Sequence, residues 1–304
     1  MKRILMKTIN TVLFTLSLLL SHSALAALNV FACEPEWGAL AEELGGDRVS
    51  VYTATTALQN PHYIEARPSL LSKARSADLV ICTGAQLESG WLPIVLSQSG
   101  NAKIQPGAPG LFEASAFVAK LEIPKQLDRS LGDVHAQGNP HVHLDPRNIA
   151  RIAEQLTQRL AQIDSASAQA YRARGETFQN KWREAISRWE REAAPLKGLN
   201  MITYHKDLSY LIAWLGLVEA GNLEPKPGIP PTTGHLSQLL AQLEHQPVGV
   251  IVRSAYNDPK PAAWLAERAR VPSIVVPYTV GGTDGARDLY GLFDDTIARL
   301  LKAK

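Results

Sequence analysis

The sequence predicts an α/β fold of two lobes, each with a parallel sheet flanked by helices, joined by one long helix. In the first third of the chain, short apolar runs alternate with helical segments through short turns, which is typical of parallel strand–helix–strand units. The same alternation recurs after Leu199, and an unusually long helical pattern separates the two regions. We therefore expect one sheet on each side of a connecting helix.

The amino terminus has the pattern of a secretory signal peptide. Three basic residues lie within the first seven positions, an apolar run extends from Thr11 to Leu20, and small side chains follow at Ala24 and Ala26. The apolar run is too short to cross a bilayer about 30 Å thick. We expect residues 1–26 to be cleaved on export, which would leave a protein without stable membrane insertion.

The mature chain is close to neutral. The full sequence has 31 basic and 29 acidic residues, and the predicted signal peptide carries three of the basic ones and none of the acidic ones. Removing 26 of the 304 residues leaves 278, with 28 basic and 29 acidic side chains and a formal charge of −1. No basic stripe indicates binding to nucleic acid or to a membrane surface. The length suits two domains of ordinary size.

We predict that residues 27–164 form the N-terminal metal-binding lobe. Gly45 and Gly46 would end its first helix, and Pro68 would begin its second. Residues 105–146 are rich in Pro, Gly, Asp and His, and we interpret them as a long loop with at most one short strand pair, of the kind that is often functional. The predicted regular elements are strands at Leu28–Cys33, Val49–Ala54 and Leu79–Thr83, and helices at Trp37–Leu44 and Ser69–Ser76.

Cys33 and Cys82 are the only cysteines, and each ends or nearly ends a predicted strand. If these strands are neighbours in a parallel sheet, the two sulfurs could meet, and export permits a disulfide. The sequence leaves two interpretations open, which are one bridge or two buried thiols.

Two helices with regular apolar spacing follow the long loop. The first opens at Asp145 and carries apolar residues at three- and four-residue steps. The second extends from Ser165 to Ala193 and would be roughly 44 Å long at about 1.5 Å per residue. We predict that residues 165–195 connect the two lobes, and the alternative is an ordinary helix packed within one lobe.

Residues 196–304 repeat the strand–helix alternation and are predicted to form the C-terminal metal-binding lobe. A loop rich in Pro and Gly follows the second strand of this lobe. The predicted elements are strands at Met201–Tyr204, Leu217–Gly221, Val248–Val252 and Ser273–Val276, and helices at Leu208–Leu215, Leu236–Leu243, Pro261–Arg270 and Leu289–Leu301.

Three histidines lie where ligands gather in parallel α/β proteins. His62 is in the loop after a predicted strand, His141 precedes the first long helix, and His205 directly follows a strand. Ligands of such sheets bind beyond the carboxyl ends of the strands, and three imidazoles with a carboxylate or water fill a tetrahedral zinc site. The three residues are therefore candidate zinc ligands, although their spacing alone also permits three unrelated loop histidines.

Two further histidines surround His141. His135, His141 and His143 place three imidazoles within nine residues, and short His-rich tracts of this kind often bind metals. His135 is a candidate mobile capture ligand, and the alternative is a solvated side chain.

Four ordered motifs resemble those of the metal-receptor family of ABC transporters, the cluster A-I solute-binding proteins for zinc and manganese. They run in order through nearly the whole mature chain. The resemblance implies that His62, His141 and His205 bind a metal between the lobes and that the connecting helix is rigid. The matching segments are Asn60-Pro61-His62-Tyr63 with Glu65 and Pro68-Ser69, Pro140 to Pro146, His205 with Tyr210, and Glu224 to Pro231.

The sequence departs from this family at two motif positions and at the fourth ligand. Asn60 stands where the family usually has Asp, and His143 replaces a Trp, which places an extra imidazole near the site. The family's fourth ligand is an Asp shortly after the last strand. We expect Asp284, in a Gly-rich loop, to take this role, with Asp288 or water as alternatives. Asp288 is better suited to cap the final helix.

The resemblance implies a periplasmic receptor that captures Zn²⁺ and delivers it to an ABC transporter permease driven by a cytoplasmic ATPase. We expect a monomer that is not an enzyme. Manganese receptors of the family tend to carry a carboxylate at the position of His205, and an imidazole-rich site favours zinc over the harder manganese.

Two other functions remain as alternatives. A periplasmic zinc store or chaperone without a permease has the same sequence features. A zinc hydrolase would use three histidines and an open position to activate water. Glu65 is the only carboxylate next to a ligand motif and could instead orient His62, and no His-Glu-x-x-His sequence or nucleophile elbow is present.

Overall fold

The structure is a computed structural model that describes residues 27–126, 128 and 131–304. The predicted signal peptide, residues 1–26, lies outside the described residues. Within the described ranges, no helix combines the length and the apolar character needed to cross a membrane.

The first lobe contains a four-stranded sheet in which every neighbouring pair is parallel. Its strands are β1 (Leu28–Ala32), β2 (Val49–Thr53), β3 (Leu79–Cys82) and β4 (Leu111–Glu113). Their order is β2-β1-β3-β4. Strand β4 lies within the segment predicted as a long loop, because three residues are too few to show a periodic pattern.

The second lobe repeats this topology. Its strands are β5 (Asn200–Thr203), β6 (Val218–Asn222), β7 (Val250–Ser254) and β8 (Ser273–Val276). They are parallel and lie in the order β6-β5-β7-β8. The predicted α/β fold with two parallel sheets is therefore confirmed.

Nine α-helices flank the sheets within the described part of the chain. Proline in the first turn begins several of them, as the sequence predicts for Pro68, because its fixed φ suits that position. The helix after β6 begins three residues before the predicted Leu236, since the Thr232 side chain accepts from a backbone N–H there. The helices are α1 (Pro35–Gly45), α2 (Pro68–Arg75), α3 (Leu92–Ser99), α4 (Pro146–Ile163), α5 (Ala168–Ala193), α6 (Ser209–Leu215), α7 (Thr233–His245), α8 (Pro259–Ala269) and α9 (Leu289–Ala303).

The long helix α5 packs against elements of both lobes. Trp182 Nε1 donates to the carbonyl of Pro146 in α4 at 2.8 Å, and Trp189 Nε1 donates to Asp294 in α9 at 2.6 Å. One continuous hydrophobic core extends from the first sheet across α5 to the second. The alternative of a helix packed within one lobe is therefore wrong. The buried positions of α5 are Tyr171, Gly175, Phe178, Trp182, Ala185, Trp189 and Ala193.

Gly175 has a packing role in this helix. A Cβ atom at this position would lie 2.6 Å from Oγ1 and 2.7 Å from Cγ2 of Thr157 in α4. Glycine therefore permits α4 and α5 to approach closely, which outweighs its cost of about 1 kcal/mol inside a helix.

Cys33 and Cys82 form a disulfide, with their Cα atoms 4.8 Å apart. Strands β1 and β3 are neighbours, and Ala32 pairs with Ile81, so the residues that follow lie side by side. Both cysteines are fully buried. Of the two interpretations that the sequence left open, a disulfide and two buried thiols, the structure therefore has the disulfide.

Candidate metal centre

Three imidazoles meet where the carboxyl ends of the two sheets face each other. His62 lies in the loop after β2, His141 precedes α4, and His205 follows β5. Their exposed fractions are 8%, 1% and 8%, and one ligand atom from each lies within 4.8 Å of the others. The ring centroids are 5.4 to 5.6 Å apart. The three predicted histidines therefore form one cluster.

Each of these imidazoles has a partner at Nδ1, which leaves Nε2 as the nitrogen available to a metal. Partners of this kind fix the ring orientation and the tautomer of a metal ligand. The contacts are His62 to Asn60 Oδ1 at 2.8 Å, His141 to the hydroxyl of Tyr278 at 2.8 Å, and His205 to Glu224 Oε2 at 2.7 Å.

Two of the ligand loops use the same local sequence and the same turn. His62 and His141 each follow an Asn-Pro pair. The side-chain oxygen of Asn60 accepts from the backbone N–H of His62 at 3.1 Å, and that of Asn139 accepts from His141 at 3.0 Å. Asparagine forms such turns with the residue two positions on, so the chain direction at both imidazoles is set locally.

A fourth imidazole, His135, lies against His62. Their Nε2 atoms are 3.2 Å apart and their ring centroids 5.2 Å apart. The backbone N–H of Ala136 donates to Oε1 of Gln86 at 2.6 Å, and that of Asp133 donates to the carbonyl of Pro227 at 2.8 Å. The segment that carries His135 is thus attached to both lobes.

Asp284 is not part of the cluster, and the expectation that it is the fourth ligand is not met by its position. Its side chain is exposed. The Gly-rich loop turns back on itself, because the N–H of Gly281 donates to the carbonyl of Ala286 at 2.6 Å. The adjacent Thr283 hydroxyl donates to Asp295 in α9 at 2.5 Å. These contacts hold the loop against α9, and Asp284 belongs to none of the groups of possible metal ligands in the described residues.

Asp288, Glu65 and His143 are also placed away from the metal cluster. Asp288 caps α9 by accepting from a backbone N–H at 2.7 Å, as the sequence suggested. Glu65 is exposed, and Asn60 rather than Glu65 orients His62. His143 is fully buried, and its Nε2 lies 2.8 Å from the backbone carbonyl of Tyr278.

Sequence reasoning did not identify the partners of the imidazoles. Tyr278 follows the last strand, where the family resemblance points only to a carboxylate. Glu224 opens the fourth motif, and the motif alone assigns it no role. Its position directly after a strand, like that of His205, is the signal that could have indicated it.

The environments of the imidazoles shift their pKa values in opposite directions. Burial lowers the pKa of His62 and of His141 well below the usual value, and neighbouring imidazoles add to the effect. Burial also acts to lower the pKa of His205, but Glu224 and Asp207 outweigh it and the pKa is raised. Metals bind the neutral imidazole, so the raised pKa means that His205, of these three residues, holds a proton to the highest pH and would have to release it before it could bind a metal.

A cavity of about 220 Å³ borders the cluster. His62 and His205 line it together with the carboxylates of Asp133, Glu224 and Asp258. A negative lining raises the local concentration of cations, so the surroundings of the imidazoles favour a positively charged ligand.

Comparison with known proteins identifies a family for almost the whole chain. A family model described as "Zinc-uptake complex component A periplasmic" matches residues 30–303. The chain is 23% identical over 272 residues to the iron-binding protein YfeA of Yersinia pestis, which covers 86% of this chain and 82% of YfeA. It is 25% identical over 144 residues to the metal ABC transporter substrate-binding lipoprotein ScbA of Streptococcus cristatus, which covers 47% of this chain and 44% of ScbA.

Solved structures share the fold. The crystal structure of ZnuA matches with a TM-score of 0.75 at 19% identity and covers 91% of this chain and 97% of that chain. A zinc-bound deletion mutant of ZnuA matches at 0.74 and 19% identity, over 90% and 98% of the two chains. A manganese-bound periplasmic protein from Candidatus Liberibacter asiaticus matches at 0.73 and 17% identity, over 91% and 100%.

Proposed function

This chain belongs to the family of periplasmic A components of zinc-uptake complexes, and we propose that it captures Zn²⁺ between its two lobes and delivers it to an ABC transporter permease driven by a cytoplasmic ATPase. Members of this family are substrate-binding components and not enzymes, which removes the zinc-hydrolase alternative. We also propose that the receptor acts as a monomer.

The choice of zinc rests on the donor set. Names of related proteins mention zinc, manganese and iron, so family membership alone does not select a metal. Three buried imidazoles each have Nδ1 already paired, and one ring nitrogen from each lies within 4.8 Å of the others, which leaves the Nε2 atoms to bind a metal. Nitrogen donors in tetrahedral geometry suit Zn²⁺, whereas Mn²⁺ prefers oxygen donors and higher coordination. This orientation of three imidazoles is the observation that carries the proposal.

His135 is the proposed fourth ligand, in place of Asp284. Two nitrogen ligands of a tetrahedral zinc with Zn–N distances of about 2.05 Å are about 3.3 Å apart. The 3.2 Å between Nε2 of His62 and Nε2 of His135 is close to that separation. A second group of possible metal ligands, made by His62, Asp133 and His135, also lies within 4.8 Å. His135 shares this second group with His62 and not with His141 or His205, so a four-imidazole site would need the His135 loop to move inward when the metal binds.

The organisation of the precursor forms part of the proposal. Residues 1–26 would direct export to the periplasm and be removed there. Residues 27–164 and 196–304 would act as the two metal-binding lobes, and residues 165–195 would join them. The packing of α5 on helices of both lobes supports a rigid junction, so metal capture would involve loop movement more than wide hinge closure.

Metal analysis and competition titration of the mature protein test this function. We expect one Zn²⁺ per chain and a binding affinity for Zn²⁺ well above that for Mn²⁺ when both are titrated against the same chelator. Equal or tighter binding of Mn²⁺ would contradict the zinc assignment. X-ray absorption at the zinc edge should give four nitrogen neighbours, and oxygen in the first shell would argue against His135 as the fourth ligand.

A further inference from the structure

Behind His141 lies a group of four buried polar residues that come from both lobes. Glu36 lies in the first turn of α1 and His143 precedes α4, while Tyr278 and Thr279 follow β8. None of the four is more than 2% exposed. Burial of polar groups to this degree is costly unless they are paired, so the hydrogen bonds that they make across the two lobes matter for this arrangement.

Two side chains of the first lobe hold two successive residues of the second. Nε2 of His143 lies 2.8 Å from the backbone carbonyl of Tyr278, and a carbonyl can only accept, so this nitrogen donates. The Thr279 hydroxyl donates to Oε2 of Glu36. The other oxygen of Glu36 lies 3.2 Å from Nδ1 of His143, and neither of these two atoms has a hydrogen-bond partner among the described residues. The Tyr278–Thr279 segment is thus fixed at its backbone and at a side chain.

The same segment reaches the metal cluster. The hydroxyl of Tyr278 lies 2.8 Å from Nδ1 of His141. The Tyr278 ring stands edge-on to that of His143, with centroids 4.8 Å apart. His141 therefore contacts the hydroxyl of Tyr278, and His143, two residues further along the chain, contacts its backbone carbonyl. A shift of the Tyr278 backbone would displace the hydroxyl that orients His141.

We propose that Glu36 and His143 are positioning residues that clamp Tyr278 and Thr279 against the first lobe and thereby fix the ring of His141 before a metal binds. The clamp includes one of this chain's departures from its family, since His143 stands where the family's motif has Trp. Its effect on zinc affinity rests on the proposed function, whereas the clamp itself requires no metal.

Paired substitutions at His143 test the effect on affinity. His143→Leu removes the donor and keeps an apolar side chain, and His143→Gln keeps an amide donor for the carbonyl. We expect His143→Leu to weaken Zn²⁺ binding about tenfold, as is usual when the partner of a ligand is lost, and His143→Gln to recover most of it. In a Tyr278→Phe background the effect of His143→Leu should fall below about twofold, because both changes act through one hydroxyl.

Trp189→Phe is the control, because it removes a hydrogen bond between α5 and α9 and leaves the clamp intact. It should lower stability without changing zinc affinity. Two results would overturn the proposal. One is a double variant whose loss of zinc affinity equals the product of the losses in His143→Leu and Tyr278→Phe. The other is a zinc affinity of His143→Leu equal to that of the wild type.

A measurement on the metal-free protein separates this proposal from the proposed function. Nitrogen-15 NMR of the histidine rings should show His141 protonated at Nδ1 in the wild type and a mixture of tautomers in His143→Leu. If that variant does not fold, Glu36→Gln, which preserves side-chain size, should change the His141 signals in the same direction. Unchanged signals would refute the clamp. If the wild type bound no zinc, the proposed function would be refuted. The nitrogen-15 spectra of the histidine rings would still show whether the clamp orients His141.

Discussion

The two lobes have the same strand order but contribute differently to the metal centre. The first lobe supplies His62 and His141, and the second lobe supplies His205. The second lobe also supplies the side chains that orient two of these rings, Glu224 for its own ligand and Tyr278 for the ligand of the other lobe. His141 is therefore the position at which the first lobe depends on the second.

The strand ends of the two lobes are also stabilised by different interactions. The first lobe has the disulfide between Cys33 and Cys82 and, beside it, the buried carboxyl groups of Glu34 and Glu88. Glu88 accepts from the backbone N–H of Thr83 at 2.7 Å, and both of the sequence's cysteines lie in this lobe. The second lobe instead has the buried carboxyl group of Asp207, which accepts from the hydroxyls of Ser254 at 2.5 Å and Tyr256 at 3.0 Å, and an ion pair between Lys206 and Glu219. A shared topology thus leaves each lobe free to anchor its loops in its own way.

Removal of the disulfide should affect the two lobes unequally and have the largest effect on stability. Cys33→Ala with Cys82→Ala opens a loop with a sequence separation of 49 residues, which corresponds to about 4 kcal/mol of unfolding free energy in the chain-entropy model. Hydrogen exchange should show lost protection in β1 and β3 and retained protection in β5 and β7.

Equal loss of protection in both sheets would contradict this distinction. It would mean that the core shared through α5 makes the two lobes unfold as one unit.

His205→Ala tests whether the second lobe's single ligand is indispensable. The substitution removes one of three inward-facing nitrogens, and we expect Zn²⁺ affinity to fall by at least about 100-fold with an unchanged circular dichroism spectrum. Competition titration measures the affinity. His245→Ala, on the exposed face of α7 in the same lobe, is the control and should bind zinc like the wild type.

His135→Ala and Asp284→Ala compare two candidates for the fourth ligand. His135 adjoins His62 and should contribute about tenfold to Zn²⁺ affinity, a smaller effect than that of His205 because it lies on a long loop and is less buried. Asp284→Ala should leave the affinity unchanged, since the side chain points to solvent. The reverse order of effects would restore Asp284 as the ligand.

The buried acids of the first lobe predict a contribution to stability that is present in mild acid and lost as pH rises through neutral. Burial raises the pKa of Glu88 to about 7, and burial together with Glu88 raises that of Glu34. A carboxyl group whose pKa is raised in the folded state stabilises the fold at pH values below its unfolded pKa, and this contribution is lost as pH rises through the folded value. The contribution of these two acids to the unfolding free energy should therefore decrease as pH rises from about 4.5 to above 7, while the lowered pKa values of His62 and His141 act in the opposite direction in the metal-free protein.

Glu88→Gln should flatten this decrease, because the amide cannot ionise. Urea unfolding at several pH values measures it, and Glu113→Gln, an exposed carboxyl group of the same lobe, serves as the control. A slope that Glu88→Gln leaves intact would assign the pH dependence to other groups.

Much of the fold could be predicted because burial imposes patterns on the sequence. Strands covered on both sides must be apolar throughout, so β3 was predicted to within one residue. The pattern failed where elements are short or irregular. Strand β4 has three residues, and α3 was not predicted, because a stretch that begins with Leu92-Pro93 and has eight residues shows too few turns of a helix to establish a period.

The grouping of His62, His141 and His205 could be predicted because each lies in a loop after a strand or before a helix, and such positions are determined locally. The Asn-Pro-His turns at His62 and His141 involve only neighbouring residues. The fourth donor could not be predicted in the same way. The distance from a loop residue to the cluster depends on how the loop closes, and the contact of Thr283 with Asp295, which no local pattern indicates, leaves Asp284 exposed and outside the cluster.

The sequence by itself determined the lobes, the strand ends and the imidazoles that leave them, since these follow from apolar periodicity and local turns. Only the tertiary structure decided which residues surround those imidazoles. His135 reaches His62 because its segment is bound to Gln86 in one lobe and Pro227 in the other. Tyr278 reaches His141 across 137 positions of the chain. Such contacts depend on the packing of whole lobes, and no local pattern in the chain encodes them.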